Sequence, residues 1–315
     1  MVSTLMTLTE LRYLVTLAEL GHFGKAAEAC HVSQPTLSIA LKKLEESLDV
    51  TLIERSKTRI VPTSTGEAII KQAKEVLRQA SLIKDIAHSG KNSLSSPFKL
   101  GAIFTIGPYL FPHLLPQLKN SAPEMPLIIE ESYTGVLRKK LIDTSLDAII
   151  IALPFNEKDT VTKPLYEEPF VVMLPKNHPL AKDKSINPEA LLNETVLLLG
   201  EGHCLRDQIL SALPELKQHI MSDELSIAAS ANTSLDTLKH MVASGLGITI
   251  LPMSAVGLNQ QQAGDVCIRP FTPSVTSKKL TRTVALAWRM SFPRHKAIDA
   301  LTKAVNHCDI PLNNE

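Results

Sequence analysis

The sequence contains no long apolar run. None of its hydrophobic stretches approaches the roughly 18 residues that a membrane-spanning helix needs. The N-terminal residues also lack the basic start and apolar core of a secretory signal peptide. Both absences argue against membrane and secreted proteins, so we expect a cytoplasmic protein with no membrane partner.

Cysteine is scarce and dispersed. The chain has four cysteines in 315 residues, with no CxxC pair and no clustered histidines. This distribution argues against a disulfide scaffold and against a structural zinc site. The sequence also offers no Ser-His-Asp order, no metal-ligand spacing and no glycine-rich phosphate loop. We therefore expect no cofactor, no metal ion and no catalytic residues, and hence a protein that is not an enzyme.

An excess of positive charge is absent too. Lys and Arg total 33 against 32 Asp and Glu, which gives a net charge of +1. The basic surplus that marks many nucleic-acid-binding proteins is missing, so any DNA contact must depend on a local cluster of charge. With 44% hydrophobic and 21% charged residues, the chain has room for two or three ordinary globular domains.

Residues 22–66 have the pattern of a helix-turn-helix followed by a wing. Thr7 and Glu10 match a capping box for a preceding helix. Apolar residues at positions 23–30 recur at helical spacing and predict a second helix. Ser33 is a favoured N-cap, and the leucines that follow it at spacings of four, three and four indicate a third. Three helices in this order form a compact DNA-binding module.

Polar side chains near the start of the third helix suit the reading of DNA bases. They lie opposite its leucines, where the first turns of a recognition helix meet the major groove. Residues 51–54 and 59–62 are expected to form the two strands of the wing, with basic residues for phosphate contacts. An ordinary surface helix and a solvated hairpin are the alternatives for these elements. The candidate DNA-contacting residues are Ser33, Gln34, Pro35, Thr36, Ser38, Lys42, Lys43, Arg55, Lys57 and Arg59.

A long helix is expected after the wing, from Ser64 to about Ser89. Ser64 and Glu67 match a capping box, and the polar residues 90–97 end the helix. Its apolar positions alternate spacings of four and three, as in a coiled coil. They are Ile69, Ala73, Val76, Ala80, Ile83 and Ala87. The pattern favours pairing with the same helix of a second chain, and packing on its own domain is the alternative.

From Phe98 onward, short apolar runs alternate with helical patterns, which predicts parallel sheets. The chain has room for two α/β lobes, with crossovers near Tyr166 and Phe271. Ligands of open α/β sheets bind outside the carboxyl ends of strands, so we expect an effector site in the cleft between the lobes. The expected strands are residues 98–103, 127–130, 146–151, 169–174, 195–199, 248–251 and 284–288.

Cys204 is expected at the N-terminus of a helix that follows a buried strand. The helix dipole and cationic neighbours such as Arg206 and His203 favour the thiolate there, so its pKa should fall and its reactivity toward oxidants should rise. A buried and inert thiol is the alternative. Thr105 and Thr134 follow two other strands, where each hydroxyl can bind a polar ligand or simply cap its helix.

The pattern AAxxxxVSQPTLSxxLKxLEExLxVxLxER, from Ala26 to Arg55, resembles the N-terminal domain of LysR-type transcriptional regulators. The resemblance implies a mainly α winged helix-turn-helix, a long linker helix and an α/β two-lobe, periplasmic-binding-protein-like regulatory domain. It also implies homodimers or homotetramers on double-stranded promoter DNA, with RNA polymerase as a further partner. The corresponding domains are residues 1–63 for DNA binding, 64–96 for the linker helix and hinge, and 97–315 for regulation, with lobe I at 97–167 and 273–307 and lobe II at 168–272.

Two further segments, FTIGPYLFP and GHCLRDQ, resemble the peroxide-sensing OxyR branch of this family, and the similarity extends over nearly the whole chain. The resemblance implies oxidant-responsive control of antioxidant genes, by activation or by repression. The site residues that it implies are Cys204 as the peroxidatic thiol, Thr105 and Thr134 as groups that hold peroxide, and His203, Arg206 and Asp207 as groups that tune or lock the site.

The sequence departs from this branch at the resolving cysteine, which is expected roughly nine residues beyond Cys204. Leu213 stands in that neighbourhood. Three outcomes are open: Cys204 stops at sulfenic acid or a mixed thiol adduct, pairs with Cys267 or Cys308, or no longer senses peroxide. Two other functions also stay open. One is a LysR-type regulator that responds to a small anionic metabolite in the interlobe cleft, and the other is a thiol-dependent peroxidase.

Overall fold

The chain divides into two units, Met1–His88 and Ser89–Glu315. No helix in the described part of the chain is long and apolar enough to cross a membrane. The computed structural model describes residues 6–55, 60–89, 94–222, 233–257, 265–273 and 280–312.

The first unit begins with three helices in the predicted order. Helix α1 (Leu8–Leu20) starts at a capping box in which the side chains of Thr7 and Glu10 each accept a hydrogen bond from the other's backbone amide. Helix α2 (Phe23–Ala29) and helix α3 (Gln34–Leu48) follow after short turns. The predicted capping box and helix-turn-helix are therefore confirmed.

The core of this unit is formed by the apolar faces of the three helices. Two short antiparallel strands, β1 (Ile53–Arg55) and β2 (Ile60–Pro62), complete the unit's wing. The intervening residues 56–59, with the predicted phosphate contacts Lys57 and Arg59, lie outside the described residues. The main buried side chains are Leu11, Leu14, Leu17, Ala26, Ala27, Leu37, Leu41, Leu44, Leu52 and Ile53.

Helix α4 (Ser64–Ser89) has the predicted length, but Ser64 does not cap it. The side chain of Thr63 does so instead, because its hydroxyl accepts a hydrogen bond of 2.9 Å from the Gly66 amide. The first positions of the expected coiled-coil seam, Ala73 among them, pack against the core of the same unit. Further along the seam, Ile83 is 68% exposed. The alternative of packing on the helix's own domain thus holds for the first half of the seam.

The first lobe of the second unit is a sheet with helices on its faces. Its elements are β3 (Phe98–Ile103), α5 (Gly107–Ser121), β4 (Leu127–Ser132), α6 (Thr134–Ile142), β5 (Ala148–Ala152), β10 (Thr281–Arg289) and α10 (His295–Asn306). Strand β3 pairs in parallel with both β4 and β5, while β10 runs antiparallel to β5.

The second lobe has its own sheet and its own hydrophobic core. The lobe's elements are β6 (Thr160–Pro175), β7 (Val196–Leu197), α7 (Cys204–Ala212), α8 (Pro214–Ser222), α9 (Leu235–Ala243), β8 (Ile248–Pro252), β9 (Val266–Pro270) and short 3₁₀ helices at Pro179–Lys182, Pro188–Asn193 and Met253–Val256. Strand β8 pairs in parallel with β7, and β6 runs antiparallel to both β8 and β9.

Strand β6 joins the two lobes. Its first part pairs with β10 in the first lobe, and its last part pairs with β8 and β9 in the second. The expected strand at residues 169–174 was therefore too short. The predicted parallel pairing is present, but the antiparallel pairs of β6 and β10 were not predicted. The reason is topological: the chain leaves the first lobe through β6 and returns through β10, so these neighbours run in opposite directions.

Candidate functional site

Cys204 is the first residue of α7, as the sequence predicts. A turn after Leu199 leads into the helix, and in it Gly202 has φ of 92°, a conformation that L side chains rarely adopt. His203 then occupies the N-cap position without a capping side-chain hydrogen bond. The turn thus delivers a partly buried thiol to the positive end of a helix.

A small cavity lies directly beside Cys204. Its volume is about 10 Å³, which is the room that about one water molecule needs. Residues from the ends of β3 and β4 and from the turn before α7 form its walls. A metabolite with several carbon atoms does not fit this space. The lining residues are Ile103, Phe104, Thr105, Ser132, Tyr133, Thr134, Gly202, His203 and Cys204.

Both predicted threonines reach this cavity. Thr105 is 2% exposed, and its hydroxyl accepts a hydrogen bond of 3.1 Å from Arg282. The Thr134 hydroxyl is buried, and among the described residues no nitrogen or oxygen atom is its hydrogen-bond partner. The polar group that it faces is the Cys204 thiol, whose pKa it lowers. Since the cap positions of α5 and α6 fall on other residues, the alternative of simple capping fails for both.

A buried ion pair binds Thr105, one of the residues that line the cavity. Arg282 Nε lies 2.7 Å from Glu168 Oε2, and the two residues face each other across β10 and β6. The guanidinium also donates 2.8 Å to the Thr105 backbone carbonyl, and the carboxylate accepts 2.8 Å from the Ser254 amide. The sequence analysis does not identify this pair, because its expected strand at 284–288 begins two residues after Arg282. The signal that could have revealed the pair was a charged residue directly beside an apolar strand.

The pKa of Cys204 is raised, so the expected fall was wrong. Burial is the largest cause, because the thiolate loses hydration. The Thr134 hydroxyl and then the Arg282 guanidinium lower the pKa, and Asp207 raises it, but burial outweighs the lowering effects. The expected cation, Arg206, instead donates a hydrogen bond of 3.3 Å to a backbone carbonyl of the preceding turn. Arg282 therefore replaces Arg206 as the positive group that acts on the thiol.

His203 closes the cavity as part of an aromatic cluster. Its ring lies 4.8 Å from the Tyr133 ring in an edge-to-face contact, and Phe104 packs 5.3 Å from the same tyrosine. Burial lowers the pKa of His203, which favours the neutral imidazole. His203 thus contributes shape and a neutral polar edge to the site. The expected positive charge at this position is therefore disfavoured by burial.

A larger cleft of about 310 Å³ adjoins the small cavity and lies between the two lobes. Two carboxyl groups line it. Burial raises the pKa of Glu131, while Asp236 accepts a hydrogen bond of 3.5 Å from Tyr109 and pairs with the buried Lys239 at 3.1 Å. The two openings share Phe104, Thr105, Tyr133 and His203 as walls.

The remaining three cysteines lie in separate places. Cys30 ends α2, Cys267 belongs to β9, and Cys308 follows α10, where its thiol donates 3.2 Å to a backbone carbonyl. All four cysteines are free. Leu213, at the position of the expected resolving cysteine, is buried in the core of the second lobe.

The predicted DNA-contacting residues of α3 fall into two groups. Ser33 caps the helix through the Thr36 amide, and the two hydroxyl oxygens lie 2.7 Å apart, so both side chains also have a structural role. The side chain of Lys42 is exposed and lies 3.6 Å from Glu46. Of the others, Gln34, Pro35 and Lys43 are exposed and Ser38 is half-buried.

The wing's basic residues cannot be placed in the same way. Arg55 ends β1, and its side chain lies outside the described residues, as do Lys57 and Arg59. Their contribution to phosphate binding stays a prediction.

Comparison with known proteins agrees with this architecture. The family "Bacterial regulatory helix-turn-helix protein, lysR family" matches residues 8–67, and the family "LysR substrate binding domain" matches residues 91–308. The chain belongs to the LysR family, in its OxyR branch. The predicted winged helix-turn-helix and two-lobe regulatory domain are thereby confirmed.

Three similar proteins illustrate the relationship. The "DNA-binding transcriptional dual regulator OxyR" of Escherichia coli K12 is 36% identical over 303 residues, which cover 95% of each chain. The structure of a full-length OxyR variant from Pseudomonas aeruginosa is 51% identical with a TM-score of 0.73 and covers 99% of each chain. An H2O2-bound OxyR mutant from Corynebacterium glutamicum is 32% identical with a TM-score of 0.63 and covers 96% of this chain and 92% of its own.

The raised pKa of Cys204 predicts slow alkylation at neutral pH. In a variant with serine at Cys30, Cys267 and Cys308, the rate with iodoacetamide should rise by about tenfold per pH unit up to at least pH 8.5, because only the thiolate reacts. The measurement is the loss of free thiol at each pH. A rate that is already constant between pH 6.5 and 7.5 would contradict the dominance of burial.

Replacement of Arg282 should destabilise the fold, because it leaves the buried carboxylate of Glu168 without its ion-pair partner. Arg282→Met is expected to lower the free energy of unfolding by about 3–5 kcal/mol, and adding Glu168→Gln should restore much of it. Urea unfolding of this unit can be followed through Trp288, the chain's only tryptophan. The control is Arg138→Met, which removes an exposed guanidinium from a pair with the mostly buried carboxylate of Glu157 and should cost less than Arg282→Met, because water reaches this pair from the side of Arg138. Equal losses for the two arginines would contradict the role of the buried pair.

Proposed function

We propose that the protein senses hydrogen peroxide through Cys204 and thereby controls the transcription of antioxidant genes. The observation that carries the proposal is the small cavity, in which the Cys204 thiol meets two threonines and lies within reach of the Arg282 charge. Hydrogen peroxide has only two heavy atoms, so among peroxides it is the one that comes closest to the size of this space. The H2O2-bound relative supports the same choice of oxidant.

The chemistry begins with attack of the Cys204 thiolate on one peroxide oxygen. The S–O bond forms as the O–O bond breaks, sulfur is oxidised to sulfenic acid, and the departing hydroxide takes up a proton and leaves as water. Because the Thr105 hydroxyl accepts a hydrogen bond from Arg282, its own proton is free to be donated to a peroxide oxygen. The guanidinium charge stabilises the thiolate and the departing hydroxide alike. Thr134 offers a second hydroxyl, so both threonines have a role in holding peroxide.

Three neighbours are assigned supporting roles. His203 closes the cavity in its neutral form, and Arg206 fixes the turn through its bond to the Leu199 carbonyl. Asp207 is exposed and raises the pKa of Cys204, so it tunes the thiol and does not contact the oxidant.

The first stable product is inferred to be sulfenic acid. The position of the expected resolving cysteine holds Leu213, whose burial in the second lobe keeps that segment packed. Cys267 packs against the core of the second lobe, whereas Cys204 and Cys308 pack against the core of the first. The Cys308 thiol donates a hydrogen bond to the Ala304 carbonyl, so a disulfide with it would break an existing contact. Sulfenic acid needs no second thiol.

DNA binding is assigned to α3 and the wing. We expect Gln34, Pro35 and Ser38 to contact base edges, and Lys42 and Lys43 to contact phosphates. Ser33 and Thr36 fix the start of the helix and complete its polar tip. From the wing, we expect Arg55, Lys57 and Arg59 to add phosphate contacts.

The assembly is inferred to be a homodimer or homotetramer held by α4 and the regulatory domain. Two linked readers bind half-sites spaced by whole helical turns, which gives useful affinity to a small module. We further infer a cytoplasmic, non-enzymatic protein with RNA polymerase as its partner at promoters. The domain limits proposed are residues 1–63, 64–96 and 97–315.

The interlobe cleft gives little support to the alternative effector, a small anionic metabolite. Its polar walls carry Glu131 and Asp236. Among the described residues beside it, the buried cations Lys239 and Arg282 are already paired with Asp236 and Glu168. An anion would have to displace one of these pairings. Peroxide at Cys204 is therefore the better supported trigger.

Peroxide treatment of the full-length protein tests the main proposal. One molar equivalent should convert Cys204 to a dimedone-reactive sulfenic acid and alter promoter DNA binding or transcription, and Cys204→Ser should lose the whole response. Cys308→Ser, the matched control, should keep it. Peptide mass spectrometry locates the label. A Cys204 that stays unmodified at micromolar peroxide would contradict the proposal. Reduction of many equivalents of peroxide per protein in the presence of a reductant would instead support a thiol-dependent peroxidase.

A substitution at Ile83 tests whether α4 pairs with the same helix of a second chain. Ile83→Asp places a charge in the exposed part of the seam and should reduce the oligomer measured by light scattering, because a buried unpaired carboxylate is unfavourable. Lys71→Asp puts the same acid on the opposite side of α4 and should leave the oligomer unchanged. Unchanged mass for both variants counts against pairing through this helix.

A further inference from the structure

The outward side of α3 carries a large apolar side chain that the proposed function does not use. Ile39 is 69% exposed, more than any other large apolar side chain in the described part of the chain. On a helix, residues three and four positions apart are neighbours on one face. For Ile39 these neighbours are Pro35, Thr36, Lys42 and Lys43, and all four are exposed. Ile39 therefore lies at the centre of the exposed face and not at the margin of a core.

The opposite face of α3 shows that Ile39 is not needed for folding. Leu37, Leu41 and Leu44 are buried and attach the helix to the rest of the unit. With about 100° between successive residues, Ile39 points away from all three. It is also absent from the set of apolar residues that pack against this core. An exposed isoleucine at such a place contributes nothing to stability that alanine would not supply.

The chemistry of the major groove explains an apolar group at this point. Among the base edges in that groove, only thymine presents an apolar group, its C5 methyl. The polar groups around Ile39 suit nitrogen, oxygen and phosphate, whereas the isoleucine suits a methyl group alone. We propose that Ile39 determines sequence specificity by packing against the C5 methyl group of one thymine in each half-site. This inference rests on the proposed role of α3 as the helix that enters the major groove.

A thymine contact of this kind also disfavours the other pyrimidine. Cytosine lacks the methyl group and presents an N4 amino donor, which an isoleucine would cover without accepting its hydrogen bond. Deoxyuridine differs from thymidine by the methyl group only. Replacement of thymidine by deoxyuridine thus isolates the proposed contact without changing base pairing.

The test uses the full-length protein and a duplex selected by it from a randomised library. Each thymidine of the selected half-site is replaced in turn by deoxyuridine, in both half-sites together. At one position the wild-type affinity should fall by about fourfold for each methyl group lost, hence about sixteenfold for two half-sites. Ile39→Ala should bind the thymidine duplex more weakly and should no longer distinguish it from the deoxyuridine duplex at that position.

Two control variants make the result decisive. Ile128→Ala shortens an exposed isoleucine of the regulatory unit and should retain the wild-type preference at every position. Lys43→Ala should weaken binding to both duplexes equally and reduce the salt dependence, if α3 is the reader. Melting curves for Ile39→Ala should match those of the wild type, since the replaced side chain is exposed.

The outcomes distinguish the methyl contact of Ile39 from the assignment of α3 as the helix that reads the major groove, here called the reader assignment. If Lys43→Ala weakens binding but Ile39→Ala keeps the full thymidine preference, or the wild type has none, the methyl contact is wrong while α3 remains the reader. If neither variant changes DNA binding, the reader assignment itself fails. A lower oligomeric mass for Ile39→Ala, with its thymidine preference intact, would mean that the isoleucine serves a protein contact and would overturn the proposal.

Discussion

The buried ion pair between Glu168 and Arg282 is the interaction on which the regulatory unit depends. The guanidinium binds Thr105 at the end of β3 in the first lobe, and the carboxylate binds the Ser254 amide in the second. One pair of charges thus connects both lobes to the wall of the cavity. Because both groups are buried, neither can be lost without leaving the other unpaired in a low-dielectric interior. The same guanidinium lowers the pKa of Cys204, so this thiol and the joint between the lobes share one cation.

Most of the local structure could be predicted from the sequence, although the cap of α4 is Thr63 and not the expected Ser64, whereas the long-range pairing of strands could not. The capping box at Thr7, the N-cap at Ser33 and the strand at 98–103 are written in neighbouring residues, and all appear as predicted. The length of β6 and its antiparallel pairing with β10 depend on residues more than a hundred positions apart. No local period encodes such a pairing, so the alternation of strands and helices was read as parallel sheets alone.

The site shows the same division. Cys204 and its motif neighbours were found because the GHCLRDQ segment is contiguous, and the two threonines because each follows a predicted strand. Arg282 and Glu168 were missed because they come from separate strands and meet only in the folded unit. The direction of the Cys204 pKa was also missed. A helix N-terminus can be read from sequence, but the degree of burial that outweighs it cannot.

Burial of Cys204 lowers the fraction of reactive thiolate, yet it also creates the conditions for a selective reaction. The cavity leaves room beside the sulfur for about one small molecule, and the Thr134 hydroxyl faces that space with the thiol as its polar neighbour. This hydroxyl lowers the pKa of Cys204, so it favours the thiolate that the reaction needs. Under the proposed function, the oxygen of a sulfenic acid takes a place beside this hydroxyl. Without a cysteine at position 213, that added oxygen is the signal that the lobes must then accommodate.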